Sequence, residues 1–117
     1  MNTRRRFSKL LALASLCAPM ALMAQAFPSK PITLVVPVPP GGLVDTSARL
    51  ISEPLGRLIG QSIVVENKGG ASGNLAYQQV ARAPKDGHTL LVSYSGYHVA
   101  NPILMNKLPW ELKDLTP

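Results

Sequence analysis

The chain has 117 residues, 46% of them hydrophobic, with twelve lysines and arginines against six aspartates and glutamates for a formal net charge of +6. A single cysteine excludes an internal disulfide framework, and the two histidines, His88 and His98, lack partners at metal-ligand spacing. Four of the basic residues fall within the first nine positions; the rest of the chain balances eight basic against six acidic residues, a net of +2 that leaves no nucleic-acid-binding stripe.

The first element in chain order is an export signal. Arg4, Arg5, Arg6 and Lys9 form a basic n-region, residues 10–22 are mostly apolar, and Ala24-Gln25-Ala26 is a small-x-small cleavage site. Pro19 and Gln25 interrupt the apolar run short of the roughly 20 residues that a spanning helix needs. Residues 1–26 therefore read as a cleaved signal peptide, and the mature chain as residues 27–117, beginning at Phe27 in the periplasm. Thr3-Arg4-Arg5-Arg6-Phe7-Ser8-Lys9 resembles the twin-arginine export pattern, but general secretory signals are also basic, so both routes stay open. Cys17 follows Leu16 where a lipid-attachment box needs a small residue, and it is not read as an anchor.

The next stretch, Ile32–Asp45 (ITLVVPVPPGGLVD), is an apolar β-type run that stops at Pro-Pro-Gly-Gly and opens into a helical pattern. Val44, Ala48, Ile51, Leu55 and Leu58 recur at spacings of four and three and draw one apolar helix face. Pro54 lies within that pattern and predicts a kink or break near Glu53. Ser62–Glu66 reads as a second strand. It runs into Gly69-Gly70-Ala71-Ser72-Gly73-Asn74, which reads as a turn with a helix cap or as a second binding loop. Leu75, Ala76, Val80 and Ala83 predict a second helix, ended by Pro84-Lys85-Asp86-Gly87. His88–Ser93 is a third strand, followed by the loop Tyr94–His98 and a short helix reaching about Asn101-Pro102.

Strand, helix, strand, helix, strand implies an α/β fold with a mainly parallel sheet and right-handed crossovers. In such sheets ligands bind beyond the carboxyl ends of the strands, where all three glycine- or serine-bearing loops fall. A glycine turn entering a helix aims bare N–H groups and the positive end of the helix dipole at an anion. The candidate ligand-binding residues are Pro40, Gly41, Gly42 and Asp45 in the first loop, and Ser93, Ser95, Gly96 and His98 in the third. The glycines can instead be plain turn formers. Asp45 would repel an anion, so it is expected to cap or complement the helix start, or to orient a water. His98 is either a positive charge near an anion or a hydrogen-bonded surface histidine. His88 is assigned no role. No catalytic residue, metal site or cofactor is expected.

The string PSKPITLVVPVPPGG…D from Pro28, followed by VVENKGGASGN, APKDGHTLLVS and NPILMNKLPW, resembles the substrate-binding proteins of tripartite tricarboxylate transporters, the Bug family. The resemblance covers essentially the whole mature chain. It implies part of the first lobe of a two-lobed periplasmic-binding-protein fold, holding a small carboxylate or dicarboxylate and passing it, without chemistry, to a membrane permease. It also implies that Pro39–Asp45 and Ser93–His98 contact the ligand carboxylate through backbone, hydroxyl groups and ordered water. A monomer is expected at full length. Pro54 departs from the family pattern, and family members are several times longer. A partial sequence is the expected explanation, because a truncated gene product would expose a sheet edge and apolar helix faces.

Two other classes compete. A nucleotide-binding enzyme domain would need a phosphate loop, a dinucleotide fingerprint or a nucleophile elbow, and the sequence has none of these. An exported interaction module without a small ligand is separated from a receptor by ligand-dependent thermal stabilisation.

Overall fold

The computed structural model describes residues 26–116; the expected signal peptide, apart from Ala26, lies outside them. Three parallel strands form one sheet in the order β2-β1-β3: β1 spans Ile32–Val36, β2 Ile63–Asn67 and β3 Thr89–Leu91. Helix α1 (Leu43–Ile59) joins β1 to β2, and α2 (Asn74–Arg82) joins β2 to β3. Two short helices follow, α3 (Ser95–His98) and α4 (Ala100–Leu104). Among the described residues no helix is long and apolar enough to cross a membrane.

Four of the five residues of β1 are apolar, as suits its central place in the sheet. Thr33 pairs with both Val64 and Thr89, and Leu34 with both Val65 and Leu90. Parallel strands covered on both faces read as continuous apolar runs, and Ile32, Leu34, Val35 and Val36 are all buried. Successive crossovers step to opposite sides of β1, so right-handedness places α1 and α2 on opposite faces. Val35 packs with Ala76 and Val80 of α2, and Leu91 and Leu115 close the edge of that cluster. Tyr77 is fully buried, with the Trp110 ring 4.7 Å away.

The expected alternation of elements holds, with local corrections. The second strand lies one residue later than the Ser62–Glu66 reading. The third is shorter than His88–Ser93, although its ladder is extended by Thr33 N–H donating to the His88 carbonyl and Val92 N–H to the Val35 carbonyl. Helix α1 does not break near Glu53 and runs unbroken past Pro54. Pro54 is exposed, and so is Leu50, whose carbonyl loses its helical donor to the proline; on the exposed side of a helix such a loss costs least.

The buried face of α1 is also not the expected one. Asp45, Ala48 and Ser52 are buried, while Ile51 is 53% and Leu58 82% exposed. The helix is turned so that its smallest residues meet the sheet. A Cβ on Gly56 would stand 3.0 Å from the Gln61 carbonyl oxygen, and the Ser52 hydroxyl is satisfied by donating to the Ala48 carbonyl at 2.6 Å. Ile51, Leu55 and Leu58 form an apolar stripe beside that contact face, uncovered by the described residues.

Candidate functional site at the carboxyl edge of the sheet

Beyond β1 the chain turns through Pro39, Pro40, Gly41 and Gly42, all exposed. Gly41 takes φ +91°, a conformation that L side chains rarely adopt. Gly42 is extended (φ −78°, ψ 170°) and is the N-cap of α1. No side chain caps this 17-residue helix. The first intrahelical bond is Thr46 N–H to the Gly42 carbonyl at 2.9 Å. The N–H groups of Leu43, Val44 and Asp45 thus open the helix without an intrahelical acceptor.

Asp45 does not cap the helix in the expected way. It is 3% exposed and serves as the hub of a polar network. Its Oδ2 accepts the Gly41 N–H at 2.8 Å, Arg49 Nε donates to Oδ1 and Oδ2 at 3.0 and 3.1 Å, and Asn67 Nδ2 donates to Oδ1 at 2.8 Å. The Arg49 hydrogen bond, then the Gly41 N–H and Asn67, hold the carboxyl pKa at about 2 against the opposing effect of burial. The group is therefore ionised at neutral pH. Gly41 spends its N–H inward on Asp45, which leaves the start of α1 as the outward-facing donor set.

The second loop carries four consecutive positive φ angles: Gly70 (113°), Ala71 (49°), Ser72 (52°) and Gly73 (78°). For Ala71 and Ser72 this conformation costs about 1–2 kcal/mol each, so the surroundings must enforce it. Asn101 Nδ2 donates to the Ser72 carbonyl at 2.8 Å, and Gly73 N–H to the Gly70 carbonyl at 3.0 Å. Gly69 lies so close to Pro39 that a Cβ there would stand 3.2 Å from the proline ring, and a Cβ on Gly73 would collide with the Tyr97 ring. This loop therefore touches both of the others. Asn74 does not act as a cap: its Oδ1 accepts Trp110 Nε1–H at 2.7 Å and Asn101 Nδ2–H at 3.3 Å.

The third segment, read as a loop over Tyr94–His98, is a helical turn from Ser95 onward, because the Tyr94 carbonyl accepts both Tyr97 and His98 N–H at 2.9 Å. Ser93 and Ser95 are exposed. The Ser93 hydroxyl lies 3.3 Å from the Tyr77 hydroxyl, which donates to the Tyr94 carbonyl at 3.2 Å and accepts the Tyr94 N–H at 3.3 Å. Gly96 is half-buried beneath the Tyr94 ring. His98 is not the hydrogen-bonded surface residue expected. It is half-buried beside Tyr77 and Trp110 (ring centroids 5.9 and 6.2 Å), and its Nδ1 has no protein partner among the described residues. His88 is 8% exposed, packed under Phe27 at 4.9 Å and away from the three loops.

The structure thus gathers Pro40, Gly41, Gly42 and Asp45 around the start of α1, and Ser93, Ser95, Gly96 and His98 around the end of β3, with Gly69–Asn74 bridging them. The sequence reading does not single out Arg49, Asn67, Tyr77, Asn101 or Trp110. The i,i+4 spacing of Asp45 and Arg49 on one helix was the available signal for the first. A groove of about 710 Å³ lies elsewhere, between α1 and the start of β2, lined by Ser52, Gly56, Arg57 and Ile63. It is wide open to solvent and does not include the three loops. Among the described residues no three His, Cys, Asp or Glu side chains come together as a set that could hold a metal ion.

The chain is similar to known proteins in sequence and in fold. Residues 47–117 match the tripartite tricarboxylate transporter family receptor. The UPF0065 protein in the tcbD-tcbE intergenic region of a Pseudomonas species is 42% identical over 116 residues, 97% of this chain and 34% of its own length. A structure described as a periplasmic transporter superposes with a TM-score of 0.71 at 41% identity, over 74% of this chain and 29% of that one. MatC from Rhodopseudomonas palustris with bound malate gives 0.69 at 46% identity, over 73% and 29%. A second R. palustris protein, with adipate, gives 0.69 at 39% identity, over 73% and 28%. The chain spans about a third of the length of the relatives it matches. On the family match and on identity across nearly its whole extent, the chain belongs to the tripartite tricarboxylate transporter receptor family.

Proposed function

We propose that the chain is the part of a periplasmic receptor that grips one carboxylate of a small dicarboxylate, which the receptor delivers unaltered to a membrane permease of the tripartite tricarboxylate class. The observation that carries this reading is the start of α1: a long helix, uncapped by any side chain, presented by a Gly-Gly turn at the carboxyl edge of a parallel sheet. Its open N–H groups and dipole suit a carboxylate. The exposed Ser93 and Ser95 hydroxyls, across the bridging loop, would serve the ligand directly or through water. Malate in one similar structure and adipate in another are both small dicarboxylates, which supports the ligand class.

Calorimetric titration tests this on a receptor of the relatives' full length that carries the segment. Saturable binding of malate or adipate is expected, with the ligand recovered chemically unchanged. Absence of binding by mono-, di- and tricarboxylates at millimolar concentration would defeat it, as would conversion of the bound acid.

Export is part of the same proposal. The n-region, apolar core and Ala24-Gln25-Ala26 predict cleavage before Phe27. Intact mass of the periplasmic protein should begin at Phe27; a mature form that keeps residues 1–26 would contradict the assignment.

A further inference from the structure

Asn67 is the last residue of β2, held in the ladder opposite Val36. Its carboxamide is spent at both ends on the chain around the first loop and the first turns of α1. Nδ2 donates to the Val38 carbonyl at 3.1 Å and to Asp45 Oδ1 at 2.8 Å, and Oδ1 accepts from Arg49 Nη2 at 2.8 Å. With Gly41 and Arg49 added, three N–H groups bond the Asp45 carboxylate, the single Arg49 Nε–H being shared between its two oxygens. A carboxylate has about four acceptor sites. Three protein donors occupy most of them, and with the residue 3% exposed the Asp45 carboxylate is committed to the protein.

We propose that Asn67 is a positioning residue for the carboxylate cradle: without touching the ligand, it acts through Asp45 to keep the Gly41 N–H turned inward and the start of α1 facing outward. This rests on the reading of that helix start as the ligand site. Arg49 cannot do the work alone, because its side chain is 52% exposed and lies on the same helix as Asp45. Asn67 stands on a paired strand, 22 residues from Asp45 and 29 from Val38, so it references the loop to the sheet. A turn containing two glycines has many conformations to lose, and one that keeps them binds with correspondingly lower affinity. The Asn67 clamp selects one of those conformations before the ligand arrives.

The test uses the full-length receptor carrying this segment, first without ligand. The Gly41 amide should exchange with solvent far more slowly than the Gly42 amide. Asn67→Ala should speed Gly41 exchange and weaken malate binding, each by about tenfold, the scale of one lost hydrogen bond to a charged group. The double variant Asn67→Ala/Asp45→Asn should bind malate no worse than Asp45→Asn alone, because residues acting through one contact are not additive. Asn67→Ser, a smaller disturbance, should show the same pattern in weaker form. Loss of thermal stability in either variant with Gly41 exchange and malate affinity unchanged would reduce Asn67 to a structural residue and overturn the proposal. So would additive losses in the double variant. A wild-type receptor that binds malate with Gly41 unprotected would defeat the clamp alone, even if both variants failed to fold. Wild type that binds no mono-, di- or tricarboxylate at millimolar concentration while Gly41 stays protected would defeat the receptor reading instead, and the cradle with it.

Discussion

A receptor carrying Gly41→Val is expected to bind its dicarboxylate at least about tenfold more weakly than the parent, while Gly42→Ala remains close to it. The two glycines are adjacent in sequence and different in conformation. Gly41 sits at φ +91°, where a β-branched residue is strained whatever space surrounds it; no neighbouring atom lies within 4 Å of where its Cβ would be, so the cost is torsional. Relieving it means rotating the turn, which breaks the Gly41 N–H bond to Asp45 and swings the start of α1. Gly42 is extended, and a Cβ there would meet the Pro39 carbonyl oxygen and Val38 at 3.9 Å, an ordinary contact. Alanine at Gly42 keeps its N–H. Gly41→Ala should fall between the two, because alanine adds a Cβ at the positive φ but none of the γ carbons of a β-branched side chain. Titration of variants shown to be folded by circular dichroism decides the matter. A folded Gly41→Val protein with parental affinity would remove this turn from the binding site.

The distinction between these glycines was not readable from the sequence. The PPGG string announced a turn and a helix start, and both are present. Which glycine carries the positive φ depends on where Asp45 directs its carboxylate, and that direction depends on Asn67, 22 residues away. Hydropathy periodicity counts Asp45 and Ser52 as polar and assigns them to the outside; burial with complete hydrogen bonding puts them inside. The same counting drew the apolar stripe of α1 through Ile51, Leu55 and Leu58. Those residues do form a stripe, but the described residues cover only Ala48 and the small residues beside it. The chain spans about a third of its relatives' length, so local patterning and local partners need not coincide.

The strand–helix alternation was legible for a different reason. A short, β-branched and nearly all apolar run such as Ile32–Val36, flanked by prolines, suits a buried parallel strand better than a helix. What failed was the chemistry of isolated polar residues. Asn74 looked like a cap and is a buried acceptor for Trp110, 36 residues on. His98 looked like a surface histidine, and the aromatic rings that enclose it, Tyr77 and Trp110, come from α2 and from beyond α4. No local pattern encodes either pairing.

Tyr77→Ala is expected to destabilise the fold by about 3–5 kcal/mol, the usual cost of truncating a buried aromatic side chain. Tyr77 is fully buried and its ring faces both Trp110 and His98, so alanine would open a cavity on the face of the sheet that α2 covers. Its hydroxyl carries a separate function, because it fixes the backbone of Tyr94 through both N–H and carbonyl and lies within reach of the Ser93 hydroxyl. Tyr77→Phe keeps the ring and removes only those bonds. It should cost about 1–3 kcal/mol, the penalty for leaving buried polar partners unmet, and it should loosen the segment from Ser93 to Gly96 that faces the proposed ligand. The two substitutions therefore separate core from site. Urea unfolding with an unchanged slope reports the first, and ligand titration reports the second. Phenylalanine that leaves dicarboxylate affinity intact would confine Tyr77 to the core and release Ser93 from the binding role assigned to it.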